Sequence, residues 1–248
     1  MYPKHYFDLF NPDIKQGLVF IGMSFNPAEQ FKWTDIIEPA LKKVNLTGYR
    51  VDMNDINDSI LVDIMNGIKN SQILIFDISA DDDGRRNENV MYELGIAHAI
   101  RLPEEVLIIR SDNIHRIHFD ISNIRVHKYD ASKIEESIES INSITTNMVS
   151  SINKNKQLAV DKVISLFDET AASFCYYKAN SEVIALKDAA NAYSLETIEN
   201  RNAIRRLLEL GMLMFLWDMK QRKYAYRWTN FGKVVLTKLG FLNNSSKT

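Results

Sequence analysis

The chain has 248 residues, 46% of them apolar and 25% charged, with a formal net charge of −2. That length fits one large or two small domains, and the balance of charge excludes a polyanion binder that works by bulk charge alone. The single cysteine, Cys175, excludes an intramolecular disulfide and a cysteine-rich zinc site; with no signal-peptide pattern in MYPKHYFDLF and no run near ~20 apolar residues, the expectation is a cytoplasmic protein without membrane contact.

After a polar lead-in with Pro3 and Pro12, the run Leu18–Met23 reads as a first buried parallel strand. The loop after it is Met23-Ser24-Phe25-Asn26-Pro27. Trp33–Val44 fits a helix that Pro39 kinks or breaks. Tyr49–Met53 reads as a second strand ending near Asp52, a place where Rossmann-like folds put an acid on a ribose hydroxyl. No Gly-x-Gly-x-x-Gly accompanies it, so a dinucleotide fingerprint is absent. Ser59–Lys69 carries Ile60, Ile64 and Ile68 at helical spacing, with Ser59 or Asp58 as cap.

Ile73–Ile78 is the third expected strand, with Asp77 near its end. The loop Asp81-Asp82-Asp83-Gly84-Arg85-Arg86 does not match the spacing of a calcium loop and reads as solvated, with Arg85 and Arg86 placed to meet a phosphate. A helix then opens on Asn87-x-Asn89. Counting along it puts Glu93 on the same stripe as Val90, Ala97 and Ile100, the stripe that should face the sheet. A carboxylate there is costly unless something uses or satisfies it. Two readings stay open at this point, a functional acid or a partner of the helix dipole. His98, on the same helix, is turned away from Glu93 and reads as structural.

Glu105–Ile109 and Ile124–Tyr129 read as the fourth and fifth strands. His115, His118 and His127 are close in sequence, but strand alternation separates His115 from His118, which argues against a metal cluster. Lys133–Val149 is an amphipathic helix, and Ser150–Gln157 reads as a polar linker, so the domains divide as 1–150 and 151–248.

From Arg201 onward ten Lys and Arg face only Glu209 and Asp218, a surplus of eight cations, so the first 200 residues carry −10. Helical spacing covers Val160–Phe174, Glu182–Ala192 and Thr197–Leu210. Gly211 follows, then an apolar–aromatic stretch interrupted by Lys220-Gln221-Arg222-Lys223, then a last helix from Asn230. Tyr224, Tyr226 and Trp228 alternate along one strand, a pattern read as packing rather than base stacking.

The stretch Asn87-Glu88-Asn89-Val90-Met91-Tyr92-Glu93-Leu94-Gly95-Ile96-Ala97-His98-Ala99 resembles the N-x-N-V-x-Y-E-L-G-x-A-x-A signature of nucleoside 2-deoxyribosyltransferase-like and TIR-like nucleotide-processing proteins, many of them in bacterial antiviral systems. Met23-Ser24-Phe25 is similar to the family's M-P-F-S loop, with Ser24 where Pro is usual, and the end from Phe119 to Asp130 resembles its F-D-L-R-x-x-R-V-I-x-Y-D segment. The resemblance covers Leu18 to Asp130 and implies a flavodoxin-like parallel α/β domain. It implies that Glu93 is the catalytic carboxylate and that Asp77 positions the base or assists the leaving group. Met23, Ser24, Phe25, Asp52, Arg86, Asn87 and Asn89 are the expected substrate contacts. Phe25 is read either as a base-stacking ring or as a core residue.

The second half resembles a winged helix-turn-helix through Ala203–Leu213 and Trp228–Gly240. That implies a recognition helix carrying Arg201, Arg205 and Arg206 and a wing carrying Lys220, Arg222 and Lys223, basic side chains suited to nucleic-acid phosphates. The combined expectation is an N-glycosidase or ribosyltransferase acting on NAD⁺ or a (deoxy)nucleotide, with no cofactor or metal. Its second domain would dock on nucleic acid or a nucleoprotein, in a homo-oligomer or larger complex serving antiphage defence. The alternatives are a non-catalytic nucleotide-sensing DNA-binding regulator and an assembly scaffold.

Overall fold

The computed structural model describes residues 14–51, 60–81, 83–113, 125–185, 195–218 and 222–242. Residues 1–153 and 154–248 form two compact units. The first is built on β1 (Lys15–Gly22), β2 (Thr47–Tyr49), β3 (Ser71–Asp77), β4 (Val106–Arg110) and β5 (Val126–Lys128). All neighbours are parallel, in the flavodoxin-like order β2-β1-β3-β4-β5. Every residue of β3 is buried, as expected for a central strand covered on both faces.

Alternation along the strands assigns two separate cores. Val19, Ile21, Ile73, Ile75, Leu107 and Ile109 face one side. They pack there on helix α1, which is π-helical over Lys32–Ile37 and α-helical over Glu38–Lys42, and on helix α4 (Ile134–Ser165). Phe20, Leu74, Phe76 and Ile108 face the other side, against α2 (Ile60–Asn70) and α3 (Glu88–Ile100). Pro39 has no N–H to donate, and the helix around it changes register instead of stopping: the Glu38 N–H reaches back to the Trp33 carbonyl.

The second unit contains the end of α4, then α5 (Glu169–Lys178), β6 (Ile184–Ala185), α6 (Leu195–Glu209), β7 (Leu213–Asp218), β8 (Lys223–Trp228) and α7 (Asn230–Lys238). It is a helical unit with an antiparallel β7–β8 hairpin, to which β6 adds a third strand in the order β6-β8-β7. Its core gathers Phe174, Cys175, Leu207, Leu213, Trp228, Val235 and Leu236. Burial pushes the Cys175 thiol up to about 12, so it serves as a small apolar residue. The Trp228 indole N–H donates to the Lys178 carbonyl at 3.0 Å, tying the hairpin to α5.

Three expectations are corrected. The polar stretch Ser150–Gln157 is not a linker but lies inside the 32-residue helix α4. It holds neither Gly nor Pro, and Ile152 and Val160 are both buried, continuing an apolar stripe through the polar run. The helix expected over Val160–Phe174 is two helices, because Asp168 leaves α4 behind and caps α5, accepting from the Ala171 N–H at 2.6 Å. Residues 184 and 185 are strand rather than the start of a helix, and 186–194 lie outside the described residues. Among the described residues no helix is long and apolar enough to cross a membrane.

Candidate functional site at the carboxyl edge of the parallel sheet

The chemistry expected of this chain falls at the carboxyl ends of β1 and β3, where open α/β sheets bind ligands. Helix α3 brings Glu93 there. Asn87 caps the helix, its side-chain oxygen accepting from the N–H groups of Asn89 and Val90 at 3.0 and 3.2 Å. Val90, Leu94 and Ala97 then seat the helix on the sheet face that presents Phe76. Glu93 shares their side and is only 7% exposed. Among the described residues nothing donates a hydrogen bond to its carboxylate and no cation pairs with it. Burial pushes its pKa up to about 7.

Gly22, the last residue of β1, makes room for this arrangement. A Cβ there would overlap the Phe76 ring and lie 3.1 Å from Glu93 Oε2. The carboxylate therefore sits beside a glycine backbone and an aromatic ring, with no hydrogen-bond partner among the described residues. That is a poor place to store a charge and a good place to meet a developing cation.

Asp77 is one residue further along β3 than Phe76 and so points to the opposite face of the sheet. Its Oδ1 accepts from the Ser79 N–H at 2.9 Å and the Ser79 hydroxyl at 2.5 Å, and its Oδ2 accepts from the buried Tyr129 hydroxyl at 2.6 Å. Ser79 in turn accepts from the Ser111 N–H at 2.9 Å, stitching β3 to the end of β4. Burial, and then the Asp77 charge, hold the Tyr129 phenol well above its ordinary range, so it remains a donor. Asp77 thus belongs to the face of the sheet opposite the one that α3 and Glu93 cover.

The expected substrate contacts divide in the same manner. Met23 is buried in the core with Trp33 and Tyr129, because it continues the β1 side facing α1 and α4; its side chain belongs to packing. Arg86 is not an open phosphate ligand. Its guanidinium donates to the Ile78 carbonyl and pairs with Asp112 at 3.3 Å, and Asp112 is also held by Arg110 at 2.8 Å. This cluster closes the 79–86 loop, where Ala80 and Arg86 form an antiparallel bridge. Asn87 spends its side-chain oxygen on the helix cap. Asp52, His115 and His118 lie outside the described residues. His127 Nε2 lies 3.0 Å from the Ser140 hydroxyl, a contact between β5 and α4.

Ser24, Phe25 and Asn89 stay available. Ser24 Oγ accepts from the Asn26 N–H at 3.2 Å and shapes the loop. Asn89 is exposed one helical turn before Glu93, on the same ridge. Phe25 is 52% exposed on a loop, not a core residue. One residue here is absent from the sequence reading: Arg50, 1% exposed, whose guanidinium carbon lies 5.7 Å from the ring centroids of both Phe25 and Trp33. Its Nη1 donates to Gln30 at 3.0 Å. The cation holds the Phe25 ring from beneath. An Arg between Tyr49 and Val51 carries no local sign of that role, since both rings come from elsewhere in the chain.

In the second unit Arg201 and Arg205 lie on the exposed side of α6, with Arg205 in an exposed pair with Glu209 at 3.2 Å. Arg206 is half-buried and reaches the Leu166 carbonyl at 3.4 Å, so it also anchors α6 to the end of α4. Arg222 is exposed at the hairpin turn, and Lys223 begins β8 opposite Asp218. Lys220 lies outside the described residues.

Compared with known proteins, the sequence matches no family model and no curated protein at a significant level.

Proposed function

We propose that the first unit cleaves or transfers across the N-glycosidic bond of a nucleotide, NAD⁺ or a (deoxy)nucleotide, with Glu93 as its central carboxylate. The observation that carries the reading is the buried Glu93 at the carboxyl edge of the sheet, without a partner among the described residues and with its pKa pushed up to about 7 by burial. Breaking the bond builds positive charge at C1′ as the base departs with the bonding electron pair. A carboxylate held against a low-dielectric wall of Phe76 stabilises that charge far better than it would in water, or attacks C1′ from the face opposite the base. Water or a second acceptor then takes the sugar. A cationic substrate such as NAD⁺ would itself favour the ionised form of Glu93. Phe25, propped on Arg50, offers a ring face to a base, and Asn89 offers an amide one turn from the carboxylate.

The second unit reads as a winged helix-turn-helix-like nucleic-acid-binding module. Its support is the order α5, β6, α6, hairpin, the sheet order β6-β8-β7, and the exposed cations Arg201, Arg205 and Arg222. In this reading nucleic acid, or a complex containing it, controls when the first unit acts, as in antiphage defence.

The test is to incubate wild type and Glu93→Gln with NAD⁺ and a nucleotide panel, with and without nucleic acid, and to follow free base by chromatography. Base released by wild type alone is the expected result. Nucleotide binding by both proteins without release under any condition would replace the enzyme by a nucleotide-sensing regulator.

A further inference from the structure

The β7–β8 hairpin carries a ladder of aromatic rings that leaves the core as it approaches the turn. Register places Leu213 opposite Trp228, Phe215 opposite Tyr226 and Trp217 opposite Tyr224, all on one face. Trp228 is buried and Tyr226 half-buried, but Phe215, Trp217 and Tyr224 are 50%, 47% and 55% exposed. The exposed rings are ordered against one another. Phe215 and Tyr224 stack with centroids 5.1 Å apart and planes 15° from parallel, and Trp217 meets Tyr224 edge-on at 5.1 Å. Cross-strand pairing accounts for rings touching, not for three large apolar faces in a row turned to solvent.

The sequence that joins the two strands is cationic. Residues 218–223 read Asp-Met-Lys-Gln-Arg-Lys, three cations to one acid, in a region with a surplus of eight cations. At the turn itself Arg222 has a φ of 48°, a left-handed conformation that Gly or Asn adopts with less strain. A cation is held where a relaxed turn residue would do, next to the free end of the ladder.

We infer that this hairpin is a stacking platform for unpaired bases, so that the second unit takes single-stranded nucleic acid, or a duplex with splayed bases, in preference to an intact duplex. The inference rests on the nucleic-acid reading of that unit and deepens it. Flat aromatic faces gain little from a duplex, whose base faces are already stacked. A single strand offers one free face per nucleotide, and a cationic turn tracks its phosphates. Trp217 and Tyr224 take the bases, while Arg222 meets the backbone. The sequence pattern at Tyr224, Tyr226 and Trp228 reads as packing, and only the inner two rings follow it; the register with Phe215 and Trp217 is what turns Tyr224 outward.

The experiment uses the full chain with a labelled oligothymidylate and a mixed-sequence duplex of equal length, followed by fluorescence anisotropy at low and moderate salt. The single strand should bind more tightly than the duplex. Trp217→Leu and Tyr224→Leu keep apolar cross-strand partners but remove the ring faces. Each should weaken single-strand binding about five- to a hundredfold, and Trp217→Phe should restore most of it. Arg222→Ala should weaken both ligands and flatten the salt dependence. Unchanged circular dichroism in the Leu variants keeps the comparison clean. If duplex and single strand bind equally and the Leu variants match wild type, stacking is overturned while nucleic-acid binding stands. If wild type binds neither ligand even at low salt, the nucleic-acid reading fails, and this inference fails with it. If the Leu variants lose only self-association in sedimentation, the rings are a contact between copies of the chain, which also overturns the inference.

Discussion

Asp77 and Glu93 stand at the same edge of one parallel sheet, each more than nine-tenths buried. On one face Asp77 receives three donors, two from Ser79 and one from Tyr129, so its charge is compensated before any ligand arrives. On the other face Glu93 receives none among the described residues, and burial alone moves it from 4.5 to about 7. The same chemical group is thus a structural rivet on one side and, among the described residues, an acid without a partner on the other. A fold that can supply three donors to one carboxylate has the means to satisfy a second. Burying Glu93 with a raised pKa lowers stability at neutral pH, and sites that do so are candidates for function.

The largest test of this contrast is Glu93→Gln. If the bare carboxylate is the reacting group, base release should fall about a thousandfold, because the group that meets the charge at C1′ is gone. Nucleotide affinity should change far less. Wild-type rates should rise with pH through about 7 and level off above it, as the carboxylate ionises.

The same variant should separate the two acids thermodynamically. Glu93 titrates near 4.5 in an unfolded chain and at about 7 when folded. Between those values the folded state holds more protons, so stability falls as pH rises. The stabilising contribution is full below pH 4.5 and lost above about 7, a swing of up to about 3 kcal/mol. Glu93→Gln removes that swing. Thermal unfolding of both proteins at pH 4.5 and pH 8 should show the variant gaining on wild type at the higher pH. Parallel curves across the range would mean that Glu93 finds a partner in solution.

How far the sequence foretells this contrast depends on how local each cause is. The period of four that places Glu93 on the buried stripe of α3, the cap at Asn87 and the run of buried residues in β3 are all written within a few residues, and the sheet follows from them. Alternation along β3 is equally local, and counting from Phe76 to Asp77 already separates the two acids. Asp77-Ile78-Ser79 also carries a local sign, since an Asp two residues before a Ser commonly accepts from it. What the sequence hides is what arrives from a distance: Tyr129 reaching Asp77 across 52 positions, Asp112 holding Arg86 across 26, Arg50 between Phe25 and Trp33. Arg86 and Met23, expected substrate contacts, are taken up by such partners, Asp112 and the Ile78 carbonyl for one and the core for the other. A basic residue and a loop residue look like ligands until the partners that occupy them are known.

Tyr129→Phe tests the satisfied side. It removes the donor to Asp77 Oδ2 and leaves a buried charged oxygen short of a bond, a loss of about 1.5–3 kcal/mol in unfolding free energy. Base release at a temperature where the variant is folded should stay within a few-fold of wild type. A variant that melts like wild type but loses turnover as Glu93→Gln does would bring Asp77 into the reaction and erase the distinction between the faces.

Phe25→Ala makes the smallest and most specific change. Phe25 is half exposed, and Arg50 already occupies one face of its ring, so only the other face is free for a base. Losing one such stacking contact costs about 1 kcal/mol, the low end for a base on an aromatic ring, which is a rise of about fivefold in KM at unchanged kcat. Phe25→Trp should keep KM near wild type. The cation–π contact with Arg50 contributes a similar amount to stability, about 0.5–1 kcal/mol, so the melting temperature alone cannot distinguish a binding ring from a lid over a buried cation. The kinetic split can. A lid would lower stability in Phe25→Ala and leave KM where it was, whereas a ring that takes the base shifts KM and leaves Glu93 to carry the chemistry at its normal rate.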